Sequence, residues 1–95
     1  METFEVAHLN VQNVNLIVIF LNTTFDSRPA AEQHGIHVTL QAAARNAGLA
    51  GNVVPDWRDP FGRTKFIAPE NQHPFFKSVS YEQLALQINR ELTVG

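Results

Sequence analysis

The residues with the greatest capacity for chemistry lie in one short run, Asn22-Thr23-Thr24-Phe25-Asp26-Ser27-Arg28. It follows an apolar stretch that reads as a strand and precedes a helical pattern. In sheets with helical crossovers, ligands favour the carboxyl end of a central strand, where a helix N-terminus offers free N–H groups to an anion. Thr23, Thr24, Ser27 and Arg28 would line such a pocket, with Asp26 beside them. Two points weigh against it: no glycine-rich loop lets a phosphate approach closely, and Asp26 would repel one. Ordinary helix capping by Asp26 or Ser27 accounts for the same residue types, and capping is the preferred reading.

Three other constellations are worth weighing. His34 and His37 stand at i,i+3, where two imidazoles can share a metal, with Glu32 or Asp26 as a further ligand. Two residues do not close a coordination shell, and His34 falls on the polar face beside Gln41 and Arg45. No metal site or cofactor is assigned. Trp57-Arg58 and Arg63-Thr64-Lys65 flank a turn, and a two-stranded ribbon with basic residues and an aromatic can engage nucleic acid. Asp56 and Asp59 offset two of those three charges and the whole chain carries a net charge of −2, so nucleic acid is a disfavoured partner. Finally, His73 in the run Glu70 to Phe76 has the composition of a general base oriented by Glu70. The adjacent Phe75 and Phe76 serve equally well to seal a core. Ser27, His73 and Asp26 can be written as a triad, but no nucleophile elbow surrounds Ser27. No catalytic residue is assigned, and His73 stays with the ligand-binding set.

The elements that must position these residues are legible from the hydrophobic pattern. Val14 to Leu21 is the most apolar run, rich in β-branched residues, and reads as a strand buried on both faces. Thr3 to Leu9 reads as a first strand, joined to it through Asn10-Val11-Gln12-Asn13 as an antiparallel hairpin. A helix follows, with Asp26 or Ser27 at its N-cap, Pro29 in its first turn and Gly48 at C′. Gln33, Ile36, Leu40, Ala43, Ala44 and Ala47 form its core stripe.

Asn52 to Trp57 is a third strand, which lies at an edge or ends early because Pro55 cannot donate to a ladder. Asp59-Pro60-Phe61-Gly62 suits a type I turn into a strand over 63–68. A loop with two prolines then leads to a closing helix. Ser80 and Gln83 form its capping box, Val79 and Leu84 its staple, and Tyr81, Leu84, Ala85, Ile88 and Leu92 its inner face.

The expected fold is α+β: two layers, a mixed four-stranded sheet and two helices in the order β-β-α-β-β-α. Residues 1–95 form one domain, and a chain of this length buries roughly 60–65% of its unfolded surface. A hydrophobic fraction of 44% and a charged fraction of 17% fit a folded chain. The absence of cysteine removes disulfides, thiolate nucleophiles and cysteine-based metal sites. The acidic start lacks the basic region of a signal peptide, and the apolar run is far shorter than the ~20 residues of a membrane helix. A cytoplasmic protein without membrane attachment is expected.

The segments Arg63-Thr64-Lys65-Phe66-Ile67-Ala68-Pro69, His73-Pro74-Phe75-Phe76 and Ile88-Asn89-Arg90-Glu91-Leu92-Thr93 resemble those of small uncharacterised bacterial proteins carried on mobile gene cassettes. No activity comes with that resemblance. Two helices packed on one sheet face would leave the other face of the central strand bare. Either one helix lies on each face or a second subunit covers the open one, and Leu86, pointing away from the closing helix's main stripe, favours the second subunit.

The reading is therefore a small non-enzymatic binding or interaction domain, homodimeric, whose further partner is another protein or a small ligand. A ligand or enzyme site at residues 22–28 is the alternative. A weak nucleic-acid binder through Trp57, Arg58, Arg63 and Lys65 comes after it.

Overall fold

The computed structural model describes residues 2–94. The apolar run forms β2 (Val14–Phe20), and Leu16, Ile17, Val18 and Ile19 within it have no solvent exposure. Burying each of these side chains contributes about 1.5–3 kcal/mol, so the strand is the centre of the core. It pairs antiparallel with β1 (Glu2–Val11) and parallel with β3 (Asn52–Arg58). The β1–β2 connection is only Gln12-Asn13, both at positive φ, as a tight hairpin of matching twist requires.

The crossover between the parallel strands is α1 (Ala30–Asn46). It ends in a Schellman motif: Leu49 N–H donates to Ala44 and Gly48 N–H to Arg45, with Gly48 at φ 80° and Leu49 buried. Its start differs from the expectation. Asp26 and Ser27 belong to a separate 3-10 turn, Thr23–Ser27, capped by the Asn22 side chain on the Thr24 amide, and Pro29 precedes α1 without a side-chain cap. Pro29 fixes an extended connection, so the chain makes a tight turn before the helix can begin.

Past β3 the hairpin turn forms as read, with Gly62 N–H donating to the Asp59 carbonyl, but the returning strand β4 is only Thr64–Phe66. Pro55 does not put β3 at an edge, because β3 lies between β2 and β4. The Pro55 carbonyl accepts from the Ile67 amide. Its missing N–H therefore faces the same side, just beyond the short β4 ladder, which starts at Asp56. The proline-bounded segment is not a loop. It holds a 3-10 turn, Glu70–Gln72, and α2 (His73–Ser78), where Pro74 sits in the first helical turn and costs no hydrogen bond.

The closing helix is the largest correction. The capping box of Ser80 and Gln83 is present, but α3 covers only Tyr81–Ala85, and Arg90–Val94 is a fifth strand, β5. Arg90, Leu92 and Val94 alternate with Glu91 and Thr93, and the chain turns at Asn89. The Asn89 side chain accepts from the His8 amide and donates to the His8 carbonyl. These bonds are long-range, and they override a local i,i+4 pattern through Ile88 and Leu92.

The sheet thus has five strands in the order β4-β3-β2-β1-β5, mixed in direction, and the α+β class holds. It is not two-layered. Ile17, Ile19, Val53 and Trp57 pack with Leu40 and Ala44 of α1 on one face. Leu16, Val18 and Val54 pack with Phe76 of α2 and Leu84 of α3 on the other. The cover that a second subunit was expected to supply on the central strand comes from α2 and α3. Among the described residues, no helix is long and apolar enough to cross a membrane.

Candidate functional site

The parallel strands β2 and β3 end side by side, with the Leu21 amide donating to the Asp56 carbonyl. Two of the sequence-derived candidate groups meet there. Asp26 in the 3-10 turn accepts from the indole N–H of Trp57 at 3.1 Å and from Lys65 Nζ at 2.9 Å. The Phe25 ring packs edge-on to Trp57 beneath them. Asp59, buried at the hairpin turn, accepts from the amides of Phe61 and Arg63 and from Arg63 Nε at 2.8 Å.

Two carboxyls here are held below the usual range. The Lys65 hydrogen bond, followed by the Trp57 one, lowers the Asp26 pKa. Burial pushes Asp59 up, but the hydrogen bonds from Arg63 and Phe61 prevail and its pKa is lowered. The constellation ties the 3-10 turn to the β3–β4 hairpin, and the polar atoms that would meet a ligand there already serve one another.

The remaining candidates disperse. The Ser27 hydroxyl donates to the Thr24 carbonyl, and the Thr24 hydroxyl to the Asn22 side chain. Thr23 is exposed, while Arg28 reaches Glu32 at 3.8 Å along the helix. His73 lies against Phe66, on the α2 side of the sheet, and its Nε2 donates to the Ala68 carbonyl at 2.9 Å. Asp26 belongs with Trp57 on the α1 side, so Ser27, Asp26 and His73 do not converge. No group of three or more His, Asp or Glu suited to a metal occurs among the described residues. Every basic residue of the ribbon is paired: Arg58 with Glu82, Arg63 with Asp59, Lys65 with Asp26. Oligonucleotide binding is expected to be weak and to vanish between low and physiological salt in fluorescence anisotropy. Tight binding that survives physiological salt would contradict this.

On the opposite face the register aligns Phe20, Asp56 and Phe66 in one row across β2, β3 and β4, and pairs Glu5 with Glu91 between β1 and β5. Asp56 is fully buried and neither carboxyl oxygen has a hydrogen-bond partner in the chain. Burial pushes its pKa up to about 7. Tyr81 stands edge-on to Phe20, with the Arg58 guanidinium 4.6 Å from its ring centre. Its phenol is raised, by burial first and by Asp56 next. A carboxyl half-ionised near neutrality is the raw material of a general acid or base, but one with no exposure touches no substrate. The sequence signal was the charged residue inside Val53-Val54-Pro55-Asp56-Trp57. Reading Asp56 as charge balance for Arg58 concealed it.

The two sheet edges differ in a way the sequence did not reveal. Beyond the short β4, the exposed flank of β3 is sealed by α1: Gln41 accepts from the Val53 amide at 2.9 Å, and His37 Nε2 donates to the Val53 carbonyl at 2.8 Å. At the other edge, no side chain among the described residues bonds the β5 backbone. Between β5 and α1 runs a cleft of about 440 Å³, with Phe4, Ile36, Leu40 and Val94 as its apolar lining. It lies within the size range of pre-formed binding sites. The cleft's mouth carries Glu2, Arg28 and Glu32.

No protein family model, curated protein or solved structure matches this chain.

Proposed function

We propose that this protein is a small non-enzymatic interaction domain that binds an extended protein segment along β5. The observation that carries the reading is the asymmetry of the edges. Proteins protect strand edges against pairing. Here one edge strand, β4, is only three residues long and the flank of β3 beyond it is sealed by His37 and Gln41, while the five-residue edge strand β5 lies open beside an apolar cleft. A segment added at β5 would gain main-chain hydrogen bonds from the ladder. Its alternate side chains would enter the cleft over Phe4 and Val94, the usual division between affinity and specificity in strand addition. The reading of residues 22–28 as a ligand site receives less support, since Asp26, Thr24 and Ser27 are engaged within the chain.

Short peptides selected from a displayed random library test this. They are expected to carry alternating apolar residues and to shift the amide resonances of Arg90–Val94, Ile36 and Leu40. Selection that converges on peptides shifting only Thr23–Arg28 or Trp57–Lys65 would overturn it.

A further inference from the structure

We infer that the segment received at β5 is the β5 strand of a second copy of this chain, paired antiparallel about a two-fold axis through Leu92. The inference rests on β5 being the interaction edge and adds the partner and its register. An open edge is self-complementary only if a two-fold pairing exists that brings no like charges together. Such a pairing always centres on one residue, so the five residues of β5 can be tried in turn. Centring on Arg90 sets two guanidiniums opposite each other.

Centring on Glu91 sets two carboxylates opposite, in the row that already holds Glu5 beside Glu91 in each copy. Like charges directly opposite destabilise a strand pair. Centring on Thr93 keeps only Leu92 to Val94, three of the five residues, and centring on Val94 keeps only Val94 itself. Centring on Leu92 alone uses Arg90 to Val94 in full. It sets Leu92 against its own copy, Arg90 against the partner's Val94, and Glu91 against the partner's Thr93, whose hydroxyl can donate to the carboxylate.

The charges then match at longer range. In each copy Val94 pairs with Glu2 of β1 on the same face. The row therefore reads Arg90, the partner's Val94, the partner's Glu2. Neighbouring strands lie about 4.8 Å apart, so Arg90 and the partner's Glu2 are separated at the backbone by roughly twice that, a span an arginine and a glutamate side chain bridge together. Both residues are exposed, and neither has an ion-pair partner among the described residues. The two-fold axis makes the pair twice. Apolar Leu92, Val94 and Phe4 of each copy become continuous beneath these pairs, and both clefts open onto the shared seam.

The test is a charge-reversal cycle read by sedimentation equilibrium and light scattering. The wild-type chain is expected to dimerise. Arg90→Glu and Glu2→Arg are each expected to weaken the dimer at least about tenfold, with unchanged circular dichroism and melting behaviour. The double variant, which restores the pair with its sign inverted, is expected to return to within about threefold of wild type. A dimer indifferent to both single reversals, or a double variant no better than either, would overturn the inference. So would a monomer at millimolar concentration. A monomer that still binds selected peptides at Arg90–Val94 would leave the β5 edge as an interaction surface and refute only the second copy as its occupant. Peptide binding elsewhere would refute both.

Discussion

Replacing Asp56 with leucine is expected to stabilise the protein by roughly 4 kcal/mol at pH 8, and by much less at pH 4. The wild-type carboxyl is buried without a hydrogen-bond partner, and its pKa rises from 3.8 to about 7 in the folded chain. Between those two values the folded state holds a proton that the unfolded state has released. Stability therefore falls as pH rises through this window and levels off above it. At 1.36 kcal/mol per pH unit the gap is worth roughly 4 kcal/mol.

Asp26 and Asp59 act with the opposite sign. Their pKa values are lowered in the folded chain, so the stability they contribute is present above the ordinary carboxylate range and is lost as pH falls through it. The wild-type profile should peak in weakly acidic solution. Urea unfolding followed by the single, buried Trp57 measures it directly. Asp56→Asn keeps the shape, still leaves buried polar atoms and cannot ionise. It should flatten the high-pH flank without the full gain seen with leucine. An Asn variant whose profile runs parallel to wild type would show that Asp56 does not ionise in this window.

What was legible in the sequence was what neighbours in sequence decide. Gly48 and Leu49 close α1 by bonds to Arg45 and Ala44 within the same turn, and Ser80 with Gln83 caps α3 within four residues. The two-faced burial of Leu16 to Ile19 was readable from their types alone, and it correctly demanded a cover. What supplied that cover was not readable. Pro74 made α2 look like a loop. Ile88 and Leu92 continued the spacing of Tyr81, Leu84 and Ala85 although Asn89 turns the chain onto β1.

The candidate site followed the same division. The 3-10 turn and the basic ribbon were each located, but Asp26 meets Lys65 across 39 positions of chain, so their mutual neutralisation is a tertiary fact. The sealing of β3 by His37 and Gln41 is another. His37, weighed as half of a metal pair, donates to a strand carbonyl instead.

Gly51→Ala is expected to destabilise the fold by about 3–5 kcal/mol, because Gly51 stands where β3 begins to run beside β2. Its φ of 121° lies in a region that residues with a Cβ rarely adopt, a conformation that by itself costs on the order of 1–3 kcal/mol. A Cβ built there would lie 2.4 Å from the Asn15 carbonyl oxygen and 2.7 Å from its carbon. Those atoms are backbone of the hairpin partner of β1 and cannot swing aside. Relief requires β3 to move away from β2 at its first rung, Leu16 with Asn52, and that pulls Val53 from the α1 core. The Gln41 bonds to the Gly51 carbonyl and the Val53 amide would go with it. Gly35→Ala is the control: it lies inside α1 with nothing within 4 Å of the new Cβ, and helix propensity favours the alanine by about 1 kcal/mol. Chemical unfolding of the two variants should move the midpoint in opposite directions. Equal shifts would mean that β3 does not approach β2 as closely at Gly51 as this fold requires.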